Sequence, residues 1–343
     1  MTTLILLAVA KAGPTFSVKL EKTVPNLHPI AFAPAPVGSQ VAISMEDSTV
    51  RILDAKTRNT TRNLATHPQP AYAVIWSSDG AWIATGDESA RIWIEDARNG
   101  SKVREYRTHT RGIQKLSFDS ARKLLASTGK DDQIKIYDTS EPTAKEKFSI
   151  LGKGSNVYGA EFSPTSSIIS TGILSDAGRE YDGTIGKVVG FFSYGGSQGT
   201  YDMAYNPTGT RVVTAGRDGT AVIFDAKTNK KIASLKGHQD WVIDAAFSPN
   251  GQFIATSSTD RTVKIWNAFS FAKVAELTDQ SSVGSPLAWT ADGNYLLTVD
   301  ISGGLQVNRV SPAQPTIKSA VKLPVQSGKA AKSGKSKRGR QGG

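Results

Sequence analysis

The 343-residue chain contains no cysteine, so disulfides, thiolate metal sites and thiol nucleophiles are all excluded. Histidine is almost as scarce: the four present, His28, His67, His109 and His238, lie far apart in the chain, with no H-E-x-x-H pair and no clustered set for a metal centre. No apolar run approaches the twenty or so residues that a membrane-spanning helix needs. Acid is missing from the last tenth of the chain. Between Ser311 and Gly343 there are eight Lys and Arg and no Asp or Glu, which leaves +3 of the net charge of +11 on the rest of the chain. Aromatic residues are absent from that stretch too, so it offers no platform on which single-stranded bases could stack. Two catalytic motifs are near misses. Gly195-Gly196-Ser197-Gln198-Gly199 satisfies G-x-S-x-G but leads toward another strand, whereas a nucleophile elbow needs a helix there. Gly328 to Gly334-Lys335-Ser336 has one residue too many for a phosphate loop and no flanking strand or helix pattern.

What is present is a repeat. Short β-prone runs end in Phe32, Trp76, Phe118, Phe162, Tyr205, Phe247 and Trp289, at intervals of 42 to 44 residues. Turn signals follow most of them, such as Ser78-Asp79-Gly80, Asn206-Pro207 and Ser248-Pro249-Asn250-Gly251. A second β-rich run, an Asp-containing turn and a third apolar strand come next, with a more variable fourth strand behind. A unit of this size built from four short strands cannot bury both faces alone and must stack on copies of itself. The period therefore predicts an all-β, seven-bladed propeller of four-stranded antiparallel blades.

One unit carries a family likeness in its residues. Gly237-His238, Phe247-Ser248-Pro249, Asp260 and Val263-Lys264-Ile265-Trp266-Asn267 resemble a WD40 repeat, and His109, Asp131 and Tyr137 keep the same intervals of 22 and 28 residues. The resemblance covers about nine-tenths of the chain and is uneven. The fifth unit has Gly195-Gly196 and Phe224 where Gly-His and Trp would stand, and the seventh has Asp300 without a matching His or Trp. The resemblance implies a buried structural network in which His238, Thr256 or Ser258, Asp260 and Trp266 are linked, with His109 and Asp131 in the third unit. It also implies that strands are shared between termini to close the ring. Phe16–Lys22 is the expected closing strand, with Ile317–Leu323 as the alternative.

The predicted organisation is an apolar segment at 1–13, a propeller at 14–310 and a basic, low-complexity, disordered tail at 311–343. Leu4 to Ala10 is read as a strand or as the remnant of a secretory signal. Localisation follows these choices: cytoplasmic, exported if the segment is a signal remnant, or nuclear if the chain is eukaryotic.

In WD40 proteins partners often contact the residues six and four before the strand-a aromatic and the one before the turn Asp. Here the four-before positions are His28, Tyr72, Gln114, Tyr158, Tyr201, Ile243 and Ser285; Trp241 is a six-before position. The pre-Asp positions are Glu46, Gly86, Lys130, Tyr181, Arg217, Thr259 and Val299. From these, Tyr72, Lys130, Tyr158, Tyr181, Tyr201, Arg217, Trp241 and Ile243 are the candidate partner-binding set, aromatic and cationic types enriched in binding hot spots. The extra sequence from Ile173 to Tyr181 is read as an insertion in the loop between the second and third strands of unit four. The functional expectation is a monomeric, non-catalytic scaffold for a protein or peptide, with no cofactor, no metal and no membrane span. The alternative is a nucleic-acid or ribonucleoprotein factor using Lys329, Lys332, Lys335, Lys337, Arg338 and Arg340 of the tail for nonspecific phosphate contacts. A propeller enzyme would need acidic or His side chains converging on the channel, which the motifs do not indicate.

Overall fold

The computed structural model describes residues 16–312, apart from 120, 122, 141–144, 153–156, 174–177, 193–198 and 283–285. These fold into seven four-stranded antiparallel sheets, each with strands a to d in sequence order except at the closure. Blade six is representative: Val242–Phe247 (a), Phe253–Ser258 (b), Val263–Asn267 (c) and Lys273–Leu277 (d). Strands b and c are buried almost throughout because both of their faces are covered by neighbouring blades.

The buried side chains divide into seven clusters, each lying between two blades. Val213, Ile223 and Leu235 of blade five meet Val242, Phe247 and Trp266 of blade six, while Leu297 and Val307 of blade seven meet Val41 and Ile43 of blade one. This is the physical content of the repeat, since each core is completed by the next unit. Ring closure uses the first described strand: Phe16–Val24 pairs antiparallel with Leu305–Pro312 and becomes strand d of blade seven. The Phe16 ring lies 4.0 Å from that of Phe253, tying the start of the strand to blade six. Ile317–Leu323, the Leu4 to Ala10 run and the basic tail lie outside the described residues.

The register corrects the reading of blade one. Trp76, Phe118, Phe162, Tyr205, Phe247 and Trp289 each lie opposite the second residue of a buried strand-b run, but the corresponding partner of Val41 is Pro34, not Phe32. The aromatic nearest in sequence is two residues out of phase, and a period measured on aromatics could not detect it.

Six of the b-to-c turns share one backbone solution. Ser48, Ala90, Asp132, Gly219, Arg261 and Gly303 all have φ between 61° and 78°. Only two of these six left-handed positions carry glycine, so the others hold a strained residue in place through the strands on either side.

Candidate interaction face

In six blades strand a begins with a β-bulge: the register slips between Pro29 and Ala31, Ala71 and Ala73, Ile113 and Lys115, Val157 and Gly159, Thr200 and Asp202, and Val242 and Asp244. A bulge re-aims the side chain of its extra residue. Those residues are Ile30, Tyr72, Gln114, Tyr158, Tyr201 and Ile243. His28 is not one of them, because the two-residue offset in blade one moves the position to Ile30. His28 occupies the six-before position instead: its carbonyl accepts from the Glu46 amide, as Gly112 does from Lys130, Gly199 from Arg217 and Trp241 from Thr259.

Four of the sequence-selected residues form one connected array. Tyr158 meets Tyr201 edge to face, with ring centroids 5.5 Å apart. Tyr201 lies 5.8 Å from Trp241, and the Arg217 guanidinium sits 4.6 Å over the Trp241 ring. Trp241 is 40% exposed, while Tyr158 and Tyr201 are half-buried. Ile243 is half-buried on the same strand that Trp241 precedes. A second group lies in blades two and three, where Lys130 Nζ is 4.9 Å from the exposed Tyr72 ring and 2.7 Å from Glu88 Oε2.

Three pre-Asp assignments are corrected. Tyr181 is not on this face: Arg179–Asp182 is strand c of blade four, and Tyr181 is buried in the core between blades three and four. Asp182 belongs to the c-to-d turn, where it accepts from the Thr184 amide and hydroxyl. The supposed insertion therefore ends before Arg179, and residues 174–177 of that loop lie outside the described residues. Gly86 gives way to Glu88, whose amide donates to the Pro70 carbonyl, and Val299 to Ile301, 58% exposed.

The structural network is present in geometry. His238 Nδ1 is 3.0 Å from Asp260 Oδ2, His238 Nε2 is 2.8 Å from Thr256 Oγ1, and Trp266 Nε1 donates to the same hydroxyl at 2.9 Å. The carboxylate can only accept, so Nδ1 carries the proton and Nε2 accepts from Thr256. Ser258 is outside this chain, donating to the Asp240 carbonyl and accepting from the Asp260 amide. Burial alone would raise the Asp260 carboxyl, but hydrogen bonds from Thr262, the Gln239 amide and His238 outweigh it and bring it to about 2. Burial lowers His238 despite its aspartate partner. In blade three His109 bonds Asp131 at 2.8 Å and Ser127 at 2.6 Å, with Ser127 passing the chain to Tyr137. Blade two repeats it with His67, Asp87 and Thr85.

Below the rim, charged side chains do converge on the channel, contrary to the expectation from the motifs. Strand a carries Lys115 in blade three, Glu161 in blade four, Asp202 in blade five and Asp244 in blade six. Lys115 Nζ reaches past blade four to Asp202 Oδ1 at 2.8 Å. It can do so because blade four has Gly159 there: a Cβ at Gly159 would stand 3.1 Å from that same oxygen. Asp244 accepts from the Leu287 amide at 3.0 Å. Burial, together with the neighbouring Asp202, pushes the Asp244 carboxyl well above the ordinary range. Burial also raises Glu161, to about 7, with Lys115 opposing it. For Lys115 burial acts downward, but the surrounding carboxylates outweigh it and raise the ammonium. The sequence signal was available: Lys115, Asp202 and Asp244 each stand three residues before the strand-a aromatic, where other blades have Ala73 and Gly159.

Among the described residues no group of three or more His, Asp or Glu side chains is placed to hold a metal ion, and no helix is long and apolar enough to cross a membrane. Gly199 leads directly into strand a of blade five, while residues 195–198 of the G-x-S-x-G motif and all the tail lysines and arginines lie outside the described residues.

The family described as "WD domain, G-beta repeat" (WD40) matches residues 58–93, 100–138, 186–225 and 229–267. Each match begins around strand d of one blade and ends at strand c of the next, so the sequence unit is offset from the structural one. The chain is 27% identical over 192 residues to Cleavage stimulation factor subunit 50 of Arabidopsis thaliana, covering 52% of this chain and 45% of that protein. It is 28% identical over 165 residues to Nuclear distribution protein nudF of Aspergillus niger, covering 47% and 36%. It is also 28% identical over 167 residues to WD repeat-containing protein 1 of Bos taurus, covering 46% and 27%. The chain thus spans less than half the length of these relatives.

Proposed function

Starting from the fact that this chain is a WD40-repeat propeller, we propose that it is a non-catalytic scaffold that holds a protein or peptide partner on the face formed by the d-to-a and b-to-c loops. The observation that carries this reading is the connected array Tyr158, Tyr201, Trp241 and Arg217. Three rings linked in series through Tyr201 lose little conformational entropy when a partner covers them, and aromatic and arginine side chains are the types that dominate binding energy. The two tyrosine rings are set by bulges in rigid strands, so the surface is preorganised. Arg217 stacked on Trp241 leaves the edge of its guanidinium for an acidic group on the partner, whereas Lys130 already pairs with Glu88 and contributes less.

The channel carboxylates fit this reading as internal charges balanced by Lys115, not as a pair of free acids.

The test is affinity capture with the intact chain, the chain cut after Pro324, and a Tyr158→Ala/Tyr201→Ala/Trp241→Ala variant, each with and without nuclease. A discrete protein that survives nuclease and tail removal but is lost in the triple variant supports the scaffold. Retention of nucleic acid alone, dependent on the tail, overturns it in favour of phosphate binding by the basic segment.

A further inference from the structure

Strand d is the outer edge of every blade, and an open edge presents unpaired N–H and C=O groups to any other strand. Six of the seven edges carry charge. Arg62 stands in blade one, Lys102, Arg104 and Glu105 in blade two, Glu146 and Lys147 in blade three, Lys231 and Lys236 in blade five, Lys273 and Glu276 in blade six, and Lys19, Glu21 and Lys22 in the closing strand. Charged side chains along an edge oppose strand addition, and like charges brought opposite one another oppose self-pairing in particular. Blade four is the exception: its edge, Val188-Val189-Gly190-Phe191, has none. Val188 is 38% exposed, Val189 53% and Phe191 61%, and Ile185 in the turn before them is 66% exposed.

We infer that this edge is a self-association site, at which strand d of blade four pairs antiparallel with the same strand of a second copy about a two-fold axis. The backbone sets the register. Phe192 N donates inward to Gly178 O and Gly190 lies opposite Glu180 of strand c, so Phe191 between them directs its peptide groups outward, while Val189 is the extra residue of the bulge at which the register shifts. A two-fold axis at Phe191 then sets it opposite the second copy's Phe191, with about two new main-chain hydrogen bonds. Gly190 is otherwise constrained from the blade-five side, because a Cβ there would collide with Asn229 Nδ2 and Glu180 Oε2, which bond each other at 2.8 Å.

The area decides how strong the contact is. The four exposed apolar side chains offer on the order of 400 Å² per copy, within the range of about 300–600 Å² at which a surface patch is often functional. Two copies with their backbone edges bury roughly 1,000 Å², the low end for a specific interface. Such a pair is weak, with a dissociation constant of about 10–100 μM, and its isologous symmetry closes it at two copies. The net charge of +11 per chain works against it, so screening by salt strengthens it.

Sedimentation equilibrium on the full chain from about 1 to 200 μM tests this. The expected result is a monomer–dimer equilibrium that tightens as salt is raised and that Val189→Lys or Phe191→Lys weakens at least tenfold. Val37→Lys, which adds the same charge at an exposed valine elsewhere (78% exposed), is expected to leave it unchanged. Far-ultraviolet circular dichroism establishes that each variant is folded. A monomer throughout the range, a dimer indifferent to Val189→Lys, open-ended polymers, or an association that salt weakens each overturns the inference.

Discussion

Replacing Asp244 with asparagine is expected to stabilise the propeller at pH 8 and to leave it almost unchanged near pH 4. Asp244 shares the channel with Asp202, Glu161 and Lys115, and burial beside Asp202 holds its carboxyl above the ordinary aspartate value of 3.8. The sign follows from linkage. A carboxyl whose folded pKa is raised costs nothing below about 3.8, where both states are protonated. It destabilises the fold progressively as pH rises, because the unfolded chain releases the proton first. Asparagine has no proton to release, yet its amide oxygen can still accept from the Leu287 amide and its nitrogen can donate toward Asp202. Each pH unit over which the two states differ by a full proton is worth about 1.4 kcal/mol. Asp244 and Glu161 keep some accessible surface, so water screens the cluster and a gain of about 1–3 kcal/mol at pH 8 is the expected scale. Denaturant unfolding of the parent and Asp244→Asn proteins at pH 4, 6 and 8 measures it. A difference that does not grow with pH, or a variant less stable at pH 8, refutes the argument.

Four further outcomes follow from the network, the turns and the closure. Thr256→Val removes the hydroxyl that both His238 and Trp266 use, and is expected to cost about 2–4 kcal/mol in denaturant unfolding because two buried groups lose their partner. Asp260 is held at about 2, so its contribution is full above 3.8 and is lost as pH falls toward 2; an acid titration of Asp260→Asn is expected to be flatter over that interval than that of the parent. Ala90 sits at φ 65°, and Ala90→Gly is expected to raise stability by about 0.5–1 kcal/mol in thermal melts, relieving a left-handed alanine at the cost of some chain entropy. Deleting residues 1–24 removes strand d of blade seven; loss of a single cooperative melting transition is the expected result, since the edge of Leu305–Pro312 is left unpaired.

The repeat and the blade network were legible because they are local. Strand alternation, turn residues and the intervals from His109 and His238 to their aspartates are set within one unit of about 42 residues, and a pattern repeated seven times averages out its own exceptions. Reading failed where one unit departed from the average. In blade one the aromatic stands two residues ahead of the true register, and in blade four the Asp-Gly that imitates a b-to-c turn belongs to the next turn, which carried Tyr181 from the predicted face into the core. Both errors were ones of phase, and phase is fixed by pairing with the neighbouring strand.

The amino-acid sequence by itself therefore determined the architecture, the number of blades and the hydrogen-bond network within a blade, because each depends on contacts within or between consecutive units. Tertiary structure alone decided which side chains of different blades the ring brings together. It joined Tyr158, Tyr201 and Trp241 into one surface, and it let Lys115 reach Asp202 across the gap at Gly159. It also set the uncharged edge of blade four on the outside, where a backbone in search of hydrogen bonds meets solvent. A one-dimensional pattern records the spacing of residues along the chain, whereas these features depend on distances measured around the axis and on which strand is left last.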